Sequence, residues 1–318
     1  MNLRTFAGQT DCKLGSGTSR EVSKLRSELI LSVNGVQLCA ETFGERGDPA
    51  VLLIMGSAAS MDWWEEELCE LIAAGGRFVI RYDHRDTGRS VSYPPGEPGY
   101  TGSDLVRDAL GVLDALGVER AQLVGMSMGG AIAQVIALDH PQTAASLALI
   151  STSFADRDHS DLPGMSEEAA ARLPIAQPEW ADRVAVIDYL VEQQRACASD
   201  SAPLDEEAAR TVAARMFDRT TDIRAALTNH DLIDPGDPPR RRLEELAIAT
   251  VVIHGRDDPM FPFEHGRALA EAIPSAELLP LEGVGHELPR RSWDLVVPAI
   301  LARSSQSVRA SSLGEMPR

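Results

Sequence analysis

Residues 121–133 read Ala-Gln-Leu-Val-Gly-Met-Ser-Met-Gly-Gly-Ala-Ile-Ala, and this stretch decides the fold. Gly125, Ser127 and Gly129 form a G-x-S-x-G pattern between an apolar run typical of a strand and a run typical of a helix. At a sharp strand-to-helix turn this pattern pushes the serine hydroxyl outward, and the glycines remove side chains that would collide with the turn. The alternative is an ordinary turn of small residues, because three fixed positions recur by chance in many chains. The pattern therefore needs partners elsewhere in the chain.

Short apolar runs alternate with amphipathic stretches on both sides of Ser127. Such runs suit strands buried on both faces, and the helical stretches between them suit crossovers in a parallel sheet. The pair Asn34-Gly35 predicts a hairpin at the start, because both residues tolerate positive φ. The predicted strands lie near 29–33, 37–43, 50–55, 77–83, 121–126, 146–152, 248–255 and 276–283. This alternation indicates the α/β fold class.

The alternation stops between 153 and 246, where no strand-like run occurs and the sequence is typical of several helices. The clearest helical segments are 179–198 and 205–230. Neither flank has enough strands to close a core alone, so we expect one core from 27–152 and 247–303. We expect 153–246 to form a helical cap. The polar ends 1–26 and 304–318 are predicted to be a flexible leader and tail.

Charge and hydropathy exclude two classes of partner. The 48 acidic residues outnumber the 30 basic ones, and the net charge of -18 would repel nucleic-acid phosphates and anionic lipid headgroups. No stretch of about 18 apolar residues occurs that could cross a membrane. We therefore expect neither a nucleic acid nor a membrane partner. Charge and hydropathy do not exclude a homodimer.

Cysteine usage bears on metal binding and on compartment. The four cysteines lie at 12, 39, 69 and 197, with no CxxC pair and no histidine spacing of a zinc site, so no metal is expected. Cys39 lies in a predicted strand and Cys69 in a predicted helix, as buried thiols in a reducing compartment would. The N-terminus has no apolar segment of a secretory signal, and this favours a cytoplasmic protein.

Five segments together resemble the α/β-hydrolase superfamily: MGSAASMDWW (55–64), RYDHRDTGRS (81–90), VGMSMGG (124–130), IHGRDDP (253–259) and GVGHELP (283–289). The resemblance spans about 27–303 and implies a mostly parallel eight-stranded sheet flanked by helices, with a helical cap insertion. Within the superfamily, Met55-Gly56 and RYDHRDTGRS are similar to actinobacterial esterases of the aclacinomycin methylesterase type. Epoxide hydrolases and haloalkane dehalogenases use an Asp nucleophile, so the serine at 127 disfavours them.

The resemblance also implies a catalytic triad in the chain order nucleophile, acid, base. It assigns Ser127 as nucleophile, Asp258 as acid and His286 as general base, the last two in loops after late strands. Imidazole is the side chain that accepts a proton near neutral pH. Asp257 stays an alternative for the acid, although relatives usually place it three residues after the strand-end glycine, here Gly255. The loops of the sheet are expected to hold this triad, so that it stays assembled when the cap is shortened.

The other histidines have weaker claims to the role of base. His84 is predicted to shape the loop after a central strand, and His254 ends a buried strand. Polar helices or loops carry the rest, which are His140, His159, His230 and His265.

Two backbone amides are implied as donors to an oxyanion: Met128, directly after the nucleophile, and Ser57, in the loop after the strand 50–55. Many relatives have His-Gly where this chain has Met55-Gly56, but a backbone donor does not depend on that histidine. The predicted substrate contacts between sheet and cap are Gly56, Trp63, Trp64, Met126, Met216 and Phe217. Packing in the core is the alternative role for the aromatic and methionine side chains.

The expected function is that of a serine hydrolase without a cofactor. It would cleave small-molecule carboxylic esters, small to medium and apolar, through an acyl-enzyme intermediate. The same triad serves hydrolases of C–C bonds, lactones and amides, and perhydrolases, so these stay alternatives. A ligand receptor that kept the fold and lost turnover is the non-enzyme alternative, which an intact triad disfavours.

Overall fold

The structure, a computed structural model, describes residues 28–156, 160–173 and 175–311, with side chains as far as 302. The predicted leader 1–26, Cys12, His159 and the last part of the predicted tail lie outside the described residues.

An eight-stranded, mostly parallel sheet with helices on both faces confirms the predicted α/β class. The strands are β1 (Leu29–Val33), β2 (Val36–Phe43), β3 (Ala50–Ile54), β4 (Phe78–Tyr82), β5 (Ala121–Met126), β6 (Ala144–Ile150), β7 (Thr250–Gly255) and β8 (Ala276–Leu281). The helices are α1 (Glu66–Ala74), α2 (Gly102–Ala115), α3 (Met128–Asp139), α4 (Glu167–Arg172), α5 (Arg183–Cys197), α6 (Glu206–Arg219), α7 (Ile223–Thr228), α8 (Glu264–Ala272) and α9 (Trp293–Ser311).

The strand order across the sheet is β1-β2-β4-β3-β5-β6-β7-β8. Strand β2 pairs antiparallel with β1 and β4, whereas all later neighbours pair in parallel. Asn34 and Gly35 have φ of 48° and 79°, as the predicted hairpin between β1 and β2 requires. The carboxyl ends of the parallel strands β3 to β8 meet along one edge, where a ligand site is expected.

Strands β3 to β7 are buried on both faces, which explains their nearly uninterrupted apolar runs. On β3, Leu52 and Ile54 pack in one core cluster, while Val51 and Leu53 pack in the other. Helices α2, α3 and α8 cover the first face, and α1 and α9 cover the second. Each fully buried Leu or Ile contributes about 1.5–3 kcal/mol relative to an exposed one, so these layers supply most of the drive to fold.

Helices α4 to α7 lie between β6 and β7, in the segment 153–246 that we call the helical insertion. Its helices have an apolar cluster of their own, in which Val186 and Leu190 of α5 meet Ala213 and Met216 of α6. The predicted helical segment 205–230 is two helices with a break after Arg219. Helix α7 then begins at a new N-cap, because the side chain of Asp222 accepts hydrogen bonds from the amides of Arg224 and Ala225.

The last helix differs from prediction at its end. Helix α9 extends to Ser311, past 304, where the flexible tail was predicted to begin. The segment 304–311 contains Gln, Arg and Ala, which have good helix propensity and can continue a helix that the sheet has already nucleated. Among the described residues, no helix is both long enough and apolar enough to cross a bilayer.

A buried ion network joins α6 of the insertion to the core. Arg219 contacts Glu28 at 2.6 Å and Asp83 at 2.8 Å, and it also pairs with Asp62. The side chain of Arg219 is 7% exposed and those of Asp62 and Asp83 are 0% exposed. Burial raises the pKa of Asp83 above its ordinary value of 3.8, and the charge and hydrogen bond of Arg219 oppose that rise. Asp62 also pairs with Arg215 at 2.7 Å, so Asp83 is the buried carboxylate that depends most on Arg219.

We expect Arg219→Ala to lower the free energy of unfolding by about 3–5 kcal/mol near neutral pH, because it removes the ion pair of the buried carboxylate of Asp83. A raised carboxyl pKa stabilises the fold below that pKa and loses this contribution as pH rises. Without Arg219 the pKa of Asp83 rises further, so the difference from wild type should shrink between pH 7.5 and about pH 5. Urea unfolding at several pH values measures this.

Arg210 provides a matched control on the same helix. It pairs with Asp188 at 2.6 Å, but both side chains are about half exposed. Arg210→Ala should cost at most about 1 kcal/mol, with little dependence on pH. An Arg219→Ala variant that behaves like this control would show that the network does not hold the insertion to the core.

Candidate active site

Ser127 lies at the turn between β5 and α3 in a strained backbone conformation. Its φ of 52° and ψ of -121° lie in a region that a residue with a side chain rarely adopts. A Cβ at Gly125 would overlap the backbone oxygen of Gly129, and a Cβ at Gly129 would overlap that of Ile54. Only glycine fits at these two positions. The turn therefore packs directly against β3, and the hydroxyl of Ser127 faces outward, as the G-x-S-x-G pattern predicts.

Hydrogen bonds from the neighbouring strand hold this turn. The amide of Ser127 donates to the carbonyl of Ile150 at 3.0 Å, and its carbonyl accepts from Oγ1 of Thr152 at 2.8 Å. Met128 is the first residue of α3, so its amide belongs to the helix end, where N–H groups have no partner within the helix. Partial positive charge at this end favours a developing anion.

Asp258 and His286 meet at the ends of β7 and β8. Nδ1 of His286 lies 2.9 Å from Oδ2 of Asp258, and the amides of Met260 and Phe261 each donate to Oδ1 at 2.9 Å. Burial alone would raise the pKa of Asp258. The charge and hydrogen bond of His286, the charge of His254 and the amide of Phe261 outweigh burial, so this pKa lies below its ordinary range. The carboxyl is therefore ionised at neutral pH and orients the imidazole.

Asp257, the competing candidate for the acid, contacts the helical insertion instead. Its Oδ2 accepts hydrogen bonds from Oγ of Ser199 at 2.6 Å and from Oγ of Ser201 at 2.5 Å. Its amide donates to the carbonyl of Val284 at 3.0 Å. The geometry thus gives the two adjacent carboxylates different partners, and it is the carboxylate of Asp258 that contacts the imidazole.

Ser127 and His286 line one cavity of about 300 Å³ between the sheet and the helical insertion. Of the residues predicted to contact substrate or donate to an oxyanion, Gly56, Ser57, Trp63 and Met126 also line it. A Cβ at Gly56 would lie 3.3 Å from Cβ of Ser127, so the loop after β3 passes directly beside the serine. The structure thus brings Ser127, His286 and the loop that contains Ser57 to one cavity, and Asp258 reaches this cavity only through its contact with His286.

Trp64, Met216 and Phe217, the other predicted contacts, do not line this cavity. Trp64 is fully buried in the core cluster of α1 and α9. Met216 is fully buried inside the insertion, where its sulfur accepts a hydrogen bond from Nε1 of Trp63 at 3.3 Å, and Phe217 packs against the same cluster. Both methionine and aromatic side chains serve packing here, which was the alternative role. The side chain of Met128 packs against the core.

Other insertion residues form the wall of the cavity, and sequence reasoning missed them. Two rows face the cavity, Leu190, Gln193, Gln194 and Cys197 on α5 and Asp205, Ala208, Ala209 and Val212 at α6. Both rows follow the spacing of three and four residues that marks one face of a helix, so the helical period was an available signal. Burial raises the pKa of Cys197 to about 11, with the charges of Asp258 and Glu287 adding to the rise, so this thiol is protonated.

The insertion also touches the loops that carry the predicted triad. The amide of His286 donates to the carbonyl of Cys197 at 2.7 Å, at the end of α5. A Cβ at Gly285 would overlap the same carbonyl, so this approach needs a glycine. The loop that contains His286 is therefore in contact with the helical insertion as well as with the sheet. Among the described residues, no group of three or more His, Cys, Asp or Glu has the arrangement of a metal site.

Residues 49–289 match the family described as alpha/beta hydrolase fold. The chain belongs to the α/β-hydrolase fold family. This α/β-hydrolase is 31% identical over 289 residues to the rhodomycin D methylesterase DauP of Streptomyces sp. strain C5, covering 86% of this chain and 97% of that protein. It is also 31% identical over 251 residues to a putative carbamate hydrolase RutD of Variovorax paradoxus, covering 77% and 88% of the two chains. The predicted resemblance to actinobacterial methylesterases is confirmed.

Solved structures share the architecture of this α/β-hydrolase. A meta-cleavage product hydrolase of Pseudomonas fluorescens IP01 has a TM-score of 0.68 at 21% identity, over 88% of this chain and 98% of that one. The enol-lactonase of Burkholderia xenovorans LB400 has a TM-score of 0.67 at 25% identity, over 87% of this chain and 100% of that one. The first likeness concerns the fold alone.

The different partners of the two carboxylates generate a prediction. Asp258→Asn removes the charge that orients the imidazole, and we expect it to lower kcat for ester hydrolysis by about 10³-fold or more. Asp257→Asn keeps an oxygen that can accept from Ser199 and Ser201, so its kcat should fall less than about tenfold. Steady-state kinetics of both purified variants measure this. The reverse order of effects would transfer the role of acid to Asp257.

Proposed function

We propose that this α/β-hydrolase is a carboxylic-ester hydrolase with Ser127 as nucleophile, His286 as general base and Asp258 as the acid. One observation carries the proposal. Ser127 lies on a strained strand-to-helix turn and shares its cavity with His286. Nδ1 of His286 is 2.9 Å from the buried, ionised carboxylate of Asp258. Such an arrangement activates a serine hydroxyl near neutral pH.

In the first half of the reaction, Oγ of Ser127 attacks the ester carbonyl carbon and its proton moves to Nε2 of His286. The carbonyl oxygen becomes an oxyanion, which the amides of Ser57 and Met128 would stabilise. As the intermediate collapses, the bond from carbon to the alcohol oxygen breaks and His286 donates the proton to the leaving alkoxide. The acyl group stays on Ser127.

The second half repeats these steps with water. His286 takes a proton from a water molecule, and the hydroxide attacks the acyl carbon. The second oxyanion lies against the same two amides. When it collapses, Oγ of Ser127 leaves and recovers its proton from His286, and the carboxylic acid is released. This chemistry needs no cofactor, and we expect it to take place in the cytoplasm.

The walls of the cavity favour small to medium apolar esters. Trp63, Leu190, Leu204 and Val212 supply apolar surface, and a space of about 300 Å³ is at the lower end of drug-sized ligand sites. The Streptomyces relatives are methylesterases by name. Methyl esters of apolar acids are therefore the first substrates to test. An enol-lactonase shares the fold at 25% identity, which makes lactones, cyclic esters that open by the same steps, the second class.

A fluorophosphonate probe combined with a panel of esters, lactones, amides and peracids tests the proposal. The probe should label Ser127 in the wild type, and Ser127→Ala should lose both labelling and turnover of every ester. Ser151 offers a matched control because it also has positive φ, 44°, at the end of the adjacent strand β6. Ser151→Ala should keep labelling at 127. Stoichiometric ligand binding without labelling or turnover would instead favour the receptor alternative.

The cavity wall generates a second kinetic prediction. Val212 of α6 faces the cavity, so Val212→Phe should narrow it and lower kcat/KM for bulky aryl esters by about 10–200-fold. The same change should affect an acetate ester far less. Thr211→Phe places the same side chain on the exposed side of α6 and should leave the ratio of the two substrates unchanged. Equal losses on both esters in Val212→Phe would mean that α6 supports folding and does not define substrate size.

A further inference from the structure

His230 is buried at the contact between the helical insertion and the loop after β3. The amide of Ala58 donates to Nδ1 of His230 at 2.9 Å, and Nε2 of His230 lies 2.9 Å from the carbonyl oxygen of Arg85. The residue is 5% exposed. Sequence reasoning placed His230 on a polar helix or loop, because its neighbours Thr228, Asn229 and Asp231 are polar. The burial comes from partners 172 and 145 residues away, which local sequence does not reveal.

The two contacts of His230 determine its protonation state. A backbone amide can only donate and a backbone carbonyl can only accept, so Nδ1 must be the acceptor and Nε2 must carry the proton. Burial lowers the pKa of His230 and keeps the ring neutral, although the hydrogen bond to Arg85 and the charges of Asp86 and Asp231 oppose this. The rings of His84 and Tyr100 pack edge-on against it, at 5.9 and 6.2 Å between centroids. His230 therefore forms two directional hydrogen bonds as a neutral tautomer.

The loop that His230 contacts contains the proposed oxyanion donor. Ala58 follows Ser57 directly and has φ of 58°, a conformation that costs a residue with a side chain about 1–3 kcal/mol. On the other side of Gly56 and Ser57, Nε2 of His84 lies 3.0 Å from the carbonyl oxygen of Met55. Burial, together with the nearby His230, lowers the pKa of His84 to about 3, so this ring is neutral and its Nε2–H donates. Two neutral histidines thus bracket the loop 55–58.

We propose that His230, supplied by the helical insertion, is a positioning residue that fixes the amide of Ser57 in the oxyanion hole through its hydrogen bond with Ala58. The proposal rests on the proposed function, because an oxyanion hole matters only where a serine attacks a carbonyl. Preorganised donors stabilise an oxyanion only when they stay in place during the reaction, and a displacement of about 1 Å can cost about 10²-fold in rate. A buried histidine that merely fills space in the core is the competing explanation.

Two substitutions at position 230 distinguish the positioning role from a role in core packing, because each keeps a different one of the two hydrogen bonds. Oδ1 of an asparagine is bonded to Cγ, as Nδ1 of histidine is, so His230→Asn can still accept from the amide of Ala58. The amide of a glutamine lies one carbon further out, near the place of Nε2, so His230→Gln can replace only the contact with Arg85. Both variants remove the ring and leave a similar gap. Only His230→Asn keeps the hydrogen bond with the amide of Ala58, which is the contact that the proposal requires.

An aryl trifluoromethyl ketone probes the oxyanion hole directly. Oγ of Ser127 adds to the ketone carbon, its proton moves to His286, and the ketone oxygen becomes an oxyanion that resembles the one in ester hydrolysis. We expect His230→Ala and His230→Gln to lower kcat for 4-nitrophenyl acetate by about 10²-fold and to weaken ketone inhibition by a similar factor. The KM of the ester should change less than about threefold. His230→Asn should recover both quantities to within about tenfold of wild type.

Gln134 provides a matched control for the loss of a buried residue that bridges backbone groups. It is fully buried, donates to the carbonyl of Ser153 at 2.8 Å and accepts from the amide of Ala155 at 3.1 Å. Gln134→Ala should lower the free energy of unfolding as the His230 variants do, but leave the ketone inhibition constant unchanged. If His230→Ala lowers stability and keeps wild-type ketone inhibition, or if Asn and Gln behave alike, the positioning role is overturned.

Failure of the proposed function would give results that differ from failure of the positioning role. A wild-type protein that neither hydrolyses the acetate ester nor binds the ketone at Ser127 would overturn both proposals. A wild type that is active and inhibited, with variants at 230 that keep its kinetics, would overturn the positioning role alone. Should His230→Ala not fold, the comparison of Asn with Gln still decides the question.

Discussion

The strained turn at Ser127 is the constraint on which the rest of the structure depends. A conformation of this kind costs about 1–3 kcal/mol and persists only where surrounding packing enforces it. The enforcement comes from Gly125 and Gly129, whose missing side chains let α3 pack directly against β5 and β3, and from the hydrogen bond to Ile150 of β6. Because β3, β5 and β6 are adjacent central strands buried on both faces, the sheet holds the serine rigidly where a reacting carbonyl can approach.

The groups around that turn come from both layers of the molecule. The ends of β7 and β8 bring Asp258 and His286 together, but His286 also donates its amide to Cys197 of α5. Asp257 receives hydroxyl donors from Ser199 and Ser201, and His230 accepts from Ala58. The insertion therefore contacts the loops of the proposed base, the proposed acid and the proposed oxyanion donor. The insertion thus contacts these loops in addition to forming the wall of the cavity.

The sequence predicts well those features, such as strands and motifs, that a local residue pattern determines. The apolar runs and the Asn34-Gly35 hairpin locate all eight strands to within about two residues. The apolar signal is strongest for β3 to β7, because these strands are buried on both faces and such strands are largely apolar. The motifs G-x-S-x-G, HGRDDP and GVGHEL each follow a strand of the parallel sheet, so the three predicted triad residues lie at the same edge of the sheet, although their catalytic roles stay a prediction. His230, Trp64 and Met216 could not be placed in this way. Their surroundings are formed by residues distant in sequence, and a polar neighbourhood or an aromatic side chain says little about which surface it will meet.

The same long-range contacts imply that substrate choice and turnover are coupled in this protein. Residues of α5 and α6 face the cavity, and the chain that follows them reaches the loop 55–58 through His230. A change that moves these helices to admit a larger ester also shifts a hydrogen-bond acceptor for that loop. Arg219 opposes such movement, because it joins α6 to buried carboxylates in the turn before α1 and after β4. Under the proposed function, substrate range can therefore change at side chains such as Val212, whereas a change in helix position would also disturb the proposed oxyanion donor.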